Sequence, residues 1–248
     1  MQTNRGERPV WLVTGASRGI GAAIARRAHE ARHSVALLAR GESVLETADA
    51  LGEGALGLQA DVADADSAEQ AIAALLKRFG RLDVVVNNAG VHRGGKVERL
   101  AADDWQQVLD VNLTGALNVI RAARPHLRAG SSIVNIGAVV GFRGFPGDVA
   151  YASSKAGLSG MTNALAIELG KQDITVNLVI PGLVLTEMTS GLSDAAMESM
   201  RAKIPVGRLG ADAEVAEVVF WVSQSRYMTG ATVPVDGGLM CSFGVVSP

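Results

Sequence analysis

The sequence predicts an α/β protein, a doubly wound parallel sheet of about seven strands with helices on both faces. Three observations predict it. Short apolar runs alternate along the chain with longer stretches of helical composition, the pattern that repeated βαβ units leave. The runs are continuous in Val, Ile and Leu, as strands are when helices cover both faces of a parallel sheet. Glycine is abundant, and many glycines stand at the ends of these runs, where the chain has to turn.

Taken in order, the first apolar run covers residues 10–14 and ends in glycine, with helical composition following at 21–31. Further strand-like runs lie at 33–39, 56–60, 83–87, 132–136, 175–180 and 232–235. Between them, 64–78, 102–128, 150–171 and 212–222 read as helices. No linker, repeat or low-complexity tract interrupts the pattern. One domain over 1–248 is therefore expected, with a core at 8–238 and a tail at 239–248 that either frays or joins a neighbour's site.

Composition excludes several classes of function. The net charge is -2 and there is no basic block, so a nucleic-acid surface is not expected. The first ten residues are polar and lack the apolar core of a signal peptide, and the apolar runs are too short or too interrupted to span a bilayer. A soluble cytoplasmic protein with no membrane partner is the expectation. Cys241 is the only cysteine, so no intrachain disulfide forms; it reads as a buried or tail thiol. No residues are assigned as metal ligands.

The most informative stretch joins the first strand to the first helix. Gly15, Gly19 and Gly21 stand in a G-x-x-x-G-x-G spacing. Gly15 lets the chain turn out of the strand. Gly19, without a Cβ, lets backbone N–H groups approach a pyrophosphate, and Gly21 lets the helix pack closely on the sheet. The helix N-terminus then favours the anion. Alone, three glycines would make an ordinary turn; between a strand and a helix they point to a Rossmann-type dinucleotide site.

With that motif the chain resembles the short-chain dehydrogenase/reductase family. The loop from Thr14 through Gly21 is similar to the family's cofactor motif, and further segments match in the family's order. They are Asp61-Val62, Asn87-Asn88-Ala89-Gly90, the Y-x-x-x-K of Tyr151 and Lys155, Pro181-Gly182 with Thr186, and Asp236-Gly237-Gly238. The resemblance runs from Val10 to Gly238. It implies a cofactor site of Gly15, Ser17, Arg18, Gly19, Ile20, Gly21, Arg40, Asp61, Val62, Asn88, Ala89, Gly90, Tyr151, Lys155, Pro181, Gly182 and Thr186.

The second strand ends Leu37-Leu38-Ala39-Arg40 without the carboxylate that would grip both ribose hydroxyls of NAD. Arg40 and Arg18 read either as solvated surface charges or as charge-assisted donors to a 2′-phosphate. NADP(H) is the expected cofactor.

Tyr151 and Lys155 are four apart on a helical stretch and so share a face. The ammonium is expected to lower the phenol's pKa. The resemblance implies that Tyr151 exchanges a proton with a carbonyl or alcohol, that Lys155 also holds the nicotinamide ribose, and that Asn112 supports a water beside Lys155. The alternative for Asn112 is a local helix irregularity. One position departs from the family. Where it has a serine, thirteen residues before the tyrosine, this chain has Ala138. Gly137 cannot substitute, Ser131 and Ser132 lie at the strand's other end, and Ser153 and Ser154 should point elsewhere. Ala138 is either native or an introduced change.

On the substrate side, 187–208 carries Met188, Leu192, Met197, Met200 and Ile204; the resemblance implies a mobile lid over the substrate, and the alternative is ordinary amphipathic packing. Phe142, Phe145 and Val149 add apolar surface. The wording of Pro205 to Gly210 is most similar to 3-oxoacyl-[acyl-carrier-protein] reductases. Where that subgroup docks its acidic carrier on arginines, this chain has Ala129 and Gln172, with Arg124, Arg128 and Lys171 nearby. The implied substrates are a small-molecule ketone or secondary alcohol, or an acyl thioester, with acyl carrier protein a weaker expectation. The resemblance also implies a homotetramer. Two functions fit: an NADP(H)-dependent oxidoreductase slowed by Ala138, or a non-catalytic NADP(H)-binding protein.

Overall fold

The computed structural model describes residues 8–185, 198–199 and 201–242. Seven strands form one parallel sheet in the order β3-β2-β1-β4-β5-β6-β7. They are β1 Val10–Thr14, β2 Ser34–Ala39, β3 Ala55–Gln59, β4 Val84–Asn87, β5 Ser132–Ile136, β6 Thr175–Pro181 and β7 Thr232–Val235. The helices are α1 Gly19–Glu30, α2 Ser43–Leu51, α3 Ala65–Phe79, α4 Ala102–Leu109, α5 Gly115–Ala123, α6 Val140–Arg143, α7 Val149–Gly170 and α8 Asp212–Gln224.

The inner strands are apolar on both faces because both faces are covered, whereas the edge strands β3 and β7 are partly exposed. Along β1, Val10 and Leu12 pack with Ile72 and Leu75 of α3 and Val119 of α5. Trp11 and Val13 point the other way, among Ile24 of α1 and Val215 and Val219 of α8. The alternation follows from the period of two along a strand. Burying each such Leu, Ile or Val contributes roughly 1.5–3 kcal/mol, so the two layers hold the sheet between them.

Strand order reverses between β1 and β4. The chain builds outward from β1 to β2 and β3, then returns to lay β4 on the other side of β1. The connections on the two sides diverge there and leave a crevice at the carboxyl ends of β1 and β4, the place where open α/β sheets bind ligands.

Several boundaries differ from the sequence expectation, most by one or two residues, and two of the differences have a local cause. His33 lies just before β2, after Arg32 with a positive φ of 64°, and its Nδ1 accepts from the Trp11 indole at 2.8 Å. The expected single helix over 102–128 is broken: α4 ends at Leu109, Asp110–Thr114 is one turn of π-helix, and α5 follows. Helix α2, only nine residues long and without a side-chain N-cap, has no counterpart in the sequence reading. By contrast α3 is punctuated at both ends. Asp64 Oδ1 accepts from the backbone N–H groups of Asp66 and Ser67, and Gly80 closes the helix in a left-handed conformation.

Among the described residues no helix is long and apolar enough to cross a membrane.

Candidate active site

The crevice is built first by the glycine loop. Gly15 has φ of +64° and Gly19 +54°, both in the region that favours glycine. A Cβ at Gly15 would lie 2.8 Å from Ala89 Cα, and one at Gly21 only 2.3 Å from the Gly15 carbonyl oxygen. The loop is therefore pressed onto the end of β4, and the start of α1 opens onto the crevice with Arg18 as its extended N-cap. Asn88 stitches the two strand ends together. Its Nδ2 donates to the carbonyls of Thr14 and Gly15, at 2.9 and 3.1 Å, and its backbone N–H donates to Thr14 Oγ1 at 3.0 Å. Ala89 N–H donates to the same hydroxyl.

Arg40 and Asp61 stand at the ends of β2 and β3. Their side chains are about half exposed and meet at 3.9 Å. They border a cavity of about 340 Å³ that Asp103, Gln106, Gln107 and Asp110 also line. Thr47 of α2 donates to the Ser17 carbonyl at 3.0 Å, which brings the loop holding Arg18 beside the helix that starts just after Arg40. Val62 is buried, and a Cβ at Gly115 would strike it at 2.6 Å.

The second wall is α7. Lys155 is 4% exposed and donates from Nζ to the Ile136 carbonyl at 2.8 Å. Burial brings its pKa down to about 8. Its Nζ lies 5.7 Å from the centre of the Tyr151 ring. The expectation that this ammonium lowers the phenol's pKa is not met. Tyr151 is pushed up to about 12, first by burial and then by the Asp148 carboxylate. The lysine is committed to Ile136, and desolvation outweighs it.

Asn112 lies in the π-turn and is buried. The helix irregularity expected as the alternative is present, and the irregular turn points the side chain inward. Its Oδ1 accepts from Val91 N–H at 2.7 Å, and its Nδ2 donates to the Val91 carbonyl at 2.9 Å and to Ser154 Oγ at 3.1 Å. Gly90 is the meeting point: a Cβ there would lie 3.3 Å from Asn112 Oδ1 and 3.6 Å from Lys155 Nζ. Ser154 hands the contact on, donating to the Tyr151 carbonyl at 2.7 Å.

Ala138 follows the end of β5, two residues beyond Ile136, and is partly exposed. Its carbonyl accepts from Gly141 N–H at 3.0 Å, and Gly141 is packed so tightly on α7 that a Cβ would lie 2.8 Å from Ala156 N. Pro181 ends β6, and Gly182 makes room for Asp236, whose Cα would be 2.7 Å from a Cβ there. Phe142, Phe145 and Val149 are exposed beside this wall. Thr186, Met188, Leu192, Met197 and Met200 lie outside the described residues. Ile204 is buried against Gly237 and so belongs to the packing of the Asp236–Gly238 turn.

Sequence reasoning missed His92 and Asp148. The His92 ring meets Tyr151 nearly edge-on, with centroids 5.1 Å apart, and its Nε2 is 2.8 Å from Asp148 Oδ1. The available signals were slight: a histidine two residues after the N-N-A-G segment, and an acidic residue just ahead of α7. Two other contacts bear on the carrier expectation. Arg124 is hydrogen-bonded to Gln172, and Arg128 lies 4.0 Å from Asp83. Both arginines precede β5, at the end of the sheet opposite Tyr151. Cys241 is an exposed free thiol.

A family model described as enoyl-(acyl carrier protein) reductase matches residues 15–240. This chain belongs to the short-chain dehydrogenase/reductase family. It is therefore an oxidoreductase by family. Among curated relatives of this short-chain dehydrogenase/reductase, a Staphylococcus aureus 3-oxoacyl-[acyl-carrier-protein] reductase is 40% identical over 237 residues, covering 92% of this chain and 96% of the relative. A solved blue fluorescent protein from a metagenomic library, in complex with NADPH, superposes with a TM-score of 0.88 at 34% identity, covering 94% of this chain and 98% of its own. A 3-ketoacyl-(acyl-carrier-protein) reductase from Brucella melitensis, complexed with NADH, gives 0.89 at 28% identity, with 94% and 99% covered. The family model and these reductases are described by different activities; the oxidoreductase family is what they share.

Proposed function

We propose that the chain is an NADP(H)-dependent carbonyl reductase, an alcohol dehydrogenase in reverse, acting on a 3-oxoacyl thioester or a related small ketone. The observation that carries this reading is the meeting of Lys155 and Asn112 beside Gly90, with the Tyr151 ring 5.7 Å from Lys155 Nζ. The glycine loop fits a dinucleotide, because Gly15 and Gly19 hold positive φ and side chains at Gly15 and Gly21 would break the close packing that sets the loop at the start of α1. Gly15, Ser17, Arg18, Gly19, Ile20 and Gly21 would hold the pyrophosphate side. Arg40 with Arg18 would take the 2′-phosphate, Asp61 and Val62 the adenine, and Asn88, Ala89, Gly90, Pro181, Gly182 and Thr186 the nicotinamide side.

When bound, the nicotinamide supplies the hydride to the carbonyl carbon. Tyr151 gives its proton to the carbonyl oxygen, which leaves a phenolate that the Lys155 ammonium stabilises. Lys155 is fixed for this by Ile136, and Asn112 holds the Val91 loop beside it. Burial and Asp148 keep Tyr151 protonated through neutral pH, the form that donates to a carbonyl oxygen. Ala138 places no hydroxyl on the substrate oxygen, and losing one such donor costs ~10²–10³ in rate. The test is NADPH oxidation with acetoacetyl-type thioesters and small ketones, for the parent and for Ala138→Ser.

Cofactor choice rests on Arg40. The relatives were solved with NADPH in one case and NADH in another. The lack of a carboxylate at the end of β2 supports NADP(H), while Asp61 competes for the same guanidinium. A homotetramer in the cytoplasm goes with this reading. Exposed Leu117 on α5 and Ile167 on α7 support pairing of those helices. The contacts of Arg124 and Arg128 give a small-molecule thioester more support than a carrier protein.

Ala138 supports a second reading, a non-catalytic protein that binds NADP(H) as a structural or sensing ligand. It expects tight NADPH binding, no turnover, and no gain from Ala138→Ser.

A further inference from the structure

We propose that His92 and Asp148 form a positioning pair for Tyr151: His92 braces the phenol ring and holds the Asp148 carboxylate, and through that carboxylate the pair sets how readily Tyr151 releases its proton. The proposal deepens the reading of Tyr151 as the group that moves the proton, and rests on it for its functional meaning.

The geometry is specific. His92 comes from the loop after β4 and Asp148 from the turn immediately before α7, on which Tyr151 sits one turn later. The two loops are tied by Gly95 N–H donating to the Gly147 carbonyl at 2.8 Å. The imidazole then spans from the Asp148 carboxylate, 2.8 Å from Nε2, to the Tyr151 ring, 5.1 Å away at an interplanar angle of 79°. An ionised carboxylate only accepts, so Nε2 carries the proton that faces it. The glycine at 94 keeps the ring in place, since a Cβ there would lie 3.1 Å from His92 Cε1.

Among the described residues, few titratable groups face Tyr151. Asp148 and Lys155 come from its own helix and its approach, and His92 from the facing loop. Arg93 is turned away, onto Gln107 at 3.2 Å and Asp104 at 3.6 Å. Lys155 is already bonded to Ile136. Asp148 is mostly sheltered, its side chain 16% exposed, so little solvent screens its charge from the phenol. A carboxylate beside a phenol opposes phenolate formation, and a donor bonded to that carboxylate blunts the opposition. The two members of the pair therefore act on Tyr151 with opposite signs.

The chain has two tyrosines, and Tyr227 is fully exposed. In a Tyr227→Phe background, phenolate absorbance reads Tyr151 alone and needs no turnover. The ionised fraction is measured at about pH 10–11, with far-UV circular dichroism confirming the fold at each point. Asp148→Asn is expected to raise the fraction by about three- to tenfold, up to one unit of pKa. His92→Phe, which keeps a ring against Tyr151, is expected to lower it, and the double variant to follow Asp148→Asn. A loosened site would raise it in both single variants. Equal fractions in all proteins, or a rise in both single variants, overturns the proposal. Opposite shifts in a protein that turns over no carbonyl would instead sink the reductase reading and leave the pair standing.

Discussion

Lys155 Nζ and the carbonyl oxygen of Ile136 are 2.8 Å apart, and Ile136 is two residues from Ala138. That bond fixes the strand that should carry the substrate-facing hydroxyl against the helix that carries Tyr151. The frame of the proposed site is thus held by backbone and lysine contacts that do not involve position 138.

The same lysine sets a pH dependence. Lys155 sits near 8 because burial disfavours its charged form. Its charge is therefore present below that pH and lost as pH rises through it. On the proposed mechanism, kcat/KM for reduction falls above about pH 8, while Tyr151, near 12, stays protonated over that range. Lys155→Met removes this alkaline limb and lowers the rate by ~10²-fold or more, as loss of an electrostatic stabiliser does. A limb unchanged in that variant assigns it to another group.

The glycine cradle has no slack. Gly21→Ala would place a methyl 2.3 Å from the Gly15 carbonyl oxygen, and Gly15→Ala adds a left-handed φ. NADPH affinity, read by nucleotide fluorescence, should weaken at least tenfold in either, about 1.4 kcal/mol. Wild-type affinity in both would remove the loop from the cofactor site.

Arg40 should decide the cofactor. Arg40→Asp removes a charge-assisted donor to the 2′-phosphate and supplies a ribose-gripping carboxylate. Charge-assisted bonds contribute ~1.5–3 kcal/mol, so NADPH binding should weaken about ten- to a hundredfold while NADH binding improves. An unchanged preference places the phosphate elsewhere.

Much of this was legible in the sequence. Strands β1, β5 and β7 were bounded correctly because continuous Val/Ile runs between glycines and polar residues admit little else. The glycine spacing and the Tyr151–Lys155 pair were readable because both are local, set by three or four residues of separation. What was lost is non-local or context-bound. Helix α2 carries no capping side chain, and the irregularity raised as an alternative at Asn112 is the π-turn at Asp110–Thr114, whose type and extent no residue pattern marks. His92 and Asp148 are 56 residues apart and meet only through the fold. The sign of the Tyr151 shift was misjudged because burial and Asp148, neither visible in Y-x-x-x-K, outweigh the lysine.

The central claim is that a complete proton-and-cofactor apparatus stands here with one substrate donor missing. Steady-state NADPH oxidation with 3-oxoacyl thioesters and small ketones, comparing the parent with Ala138→Ser, tests it directly. The account predicts slow turnover by the parent and a rise of ~10²–10³ in kcat on restoring the hydroxyl. NADPH binding without turnover by either protein across the panel would contradict it.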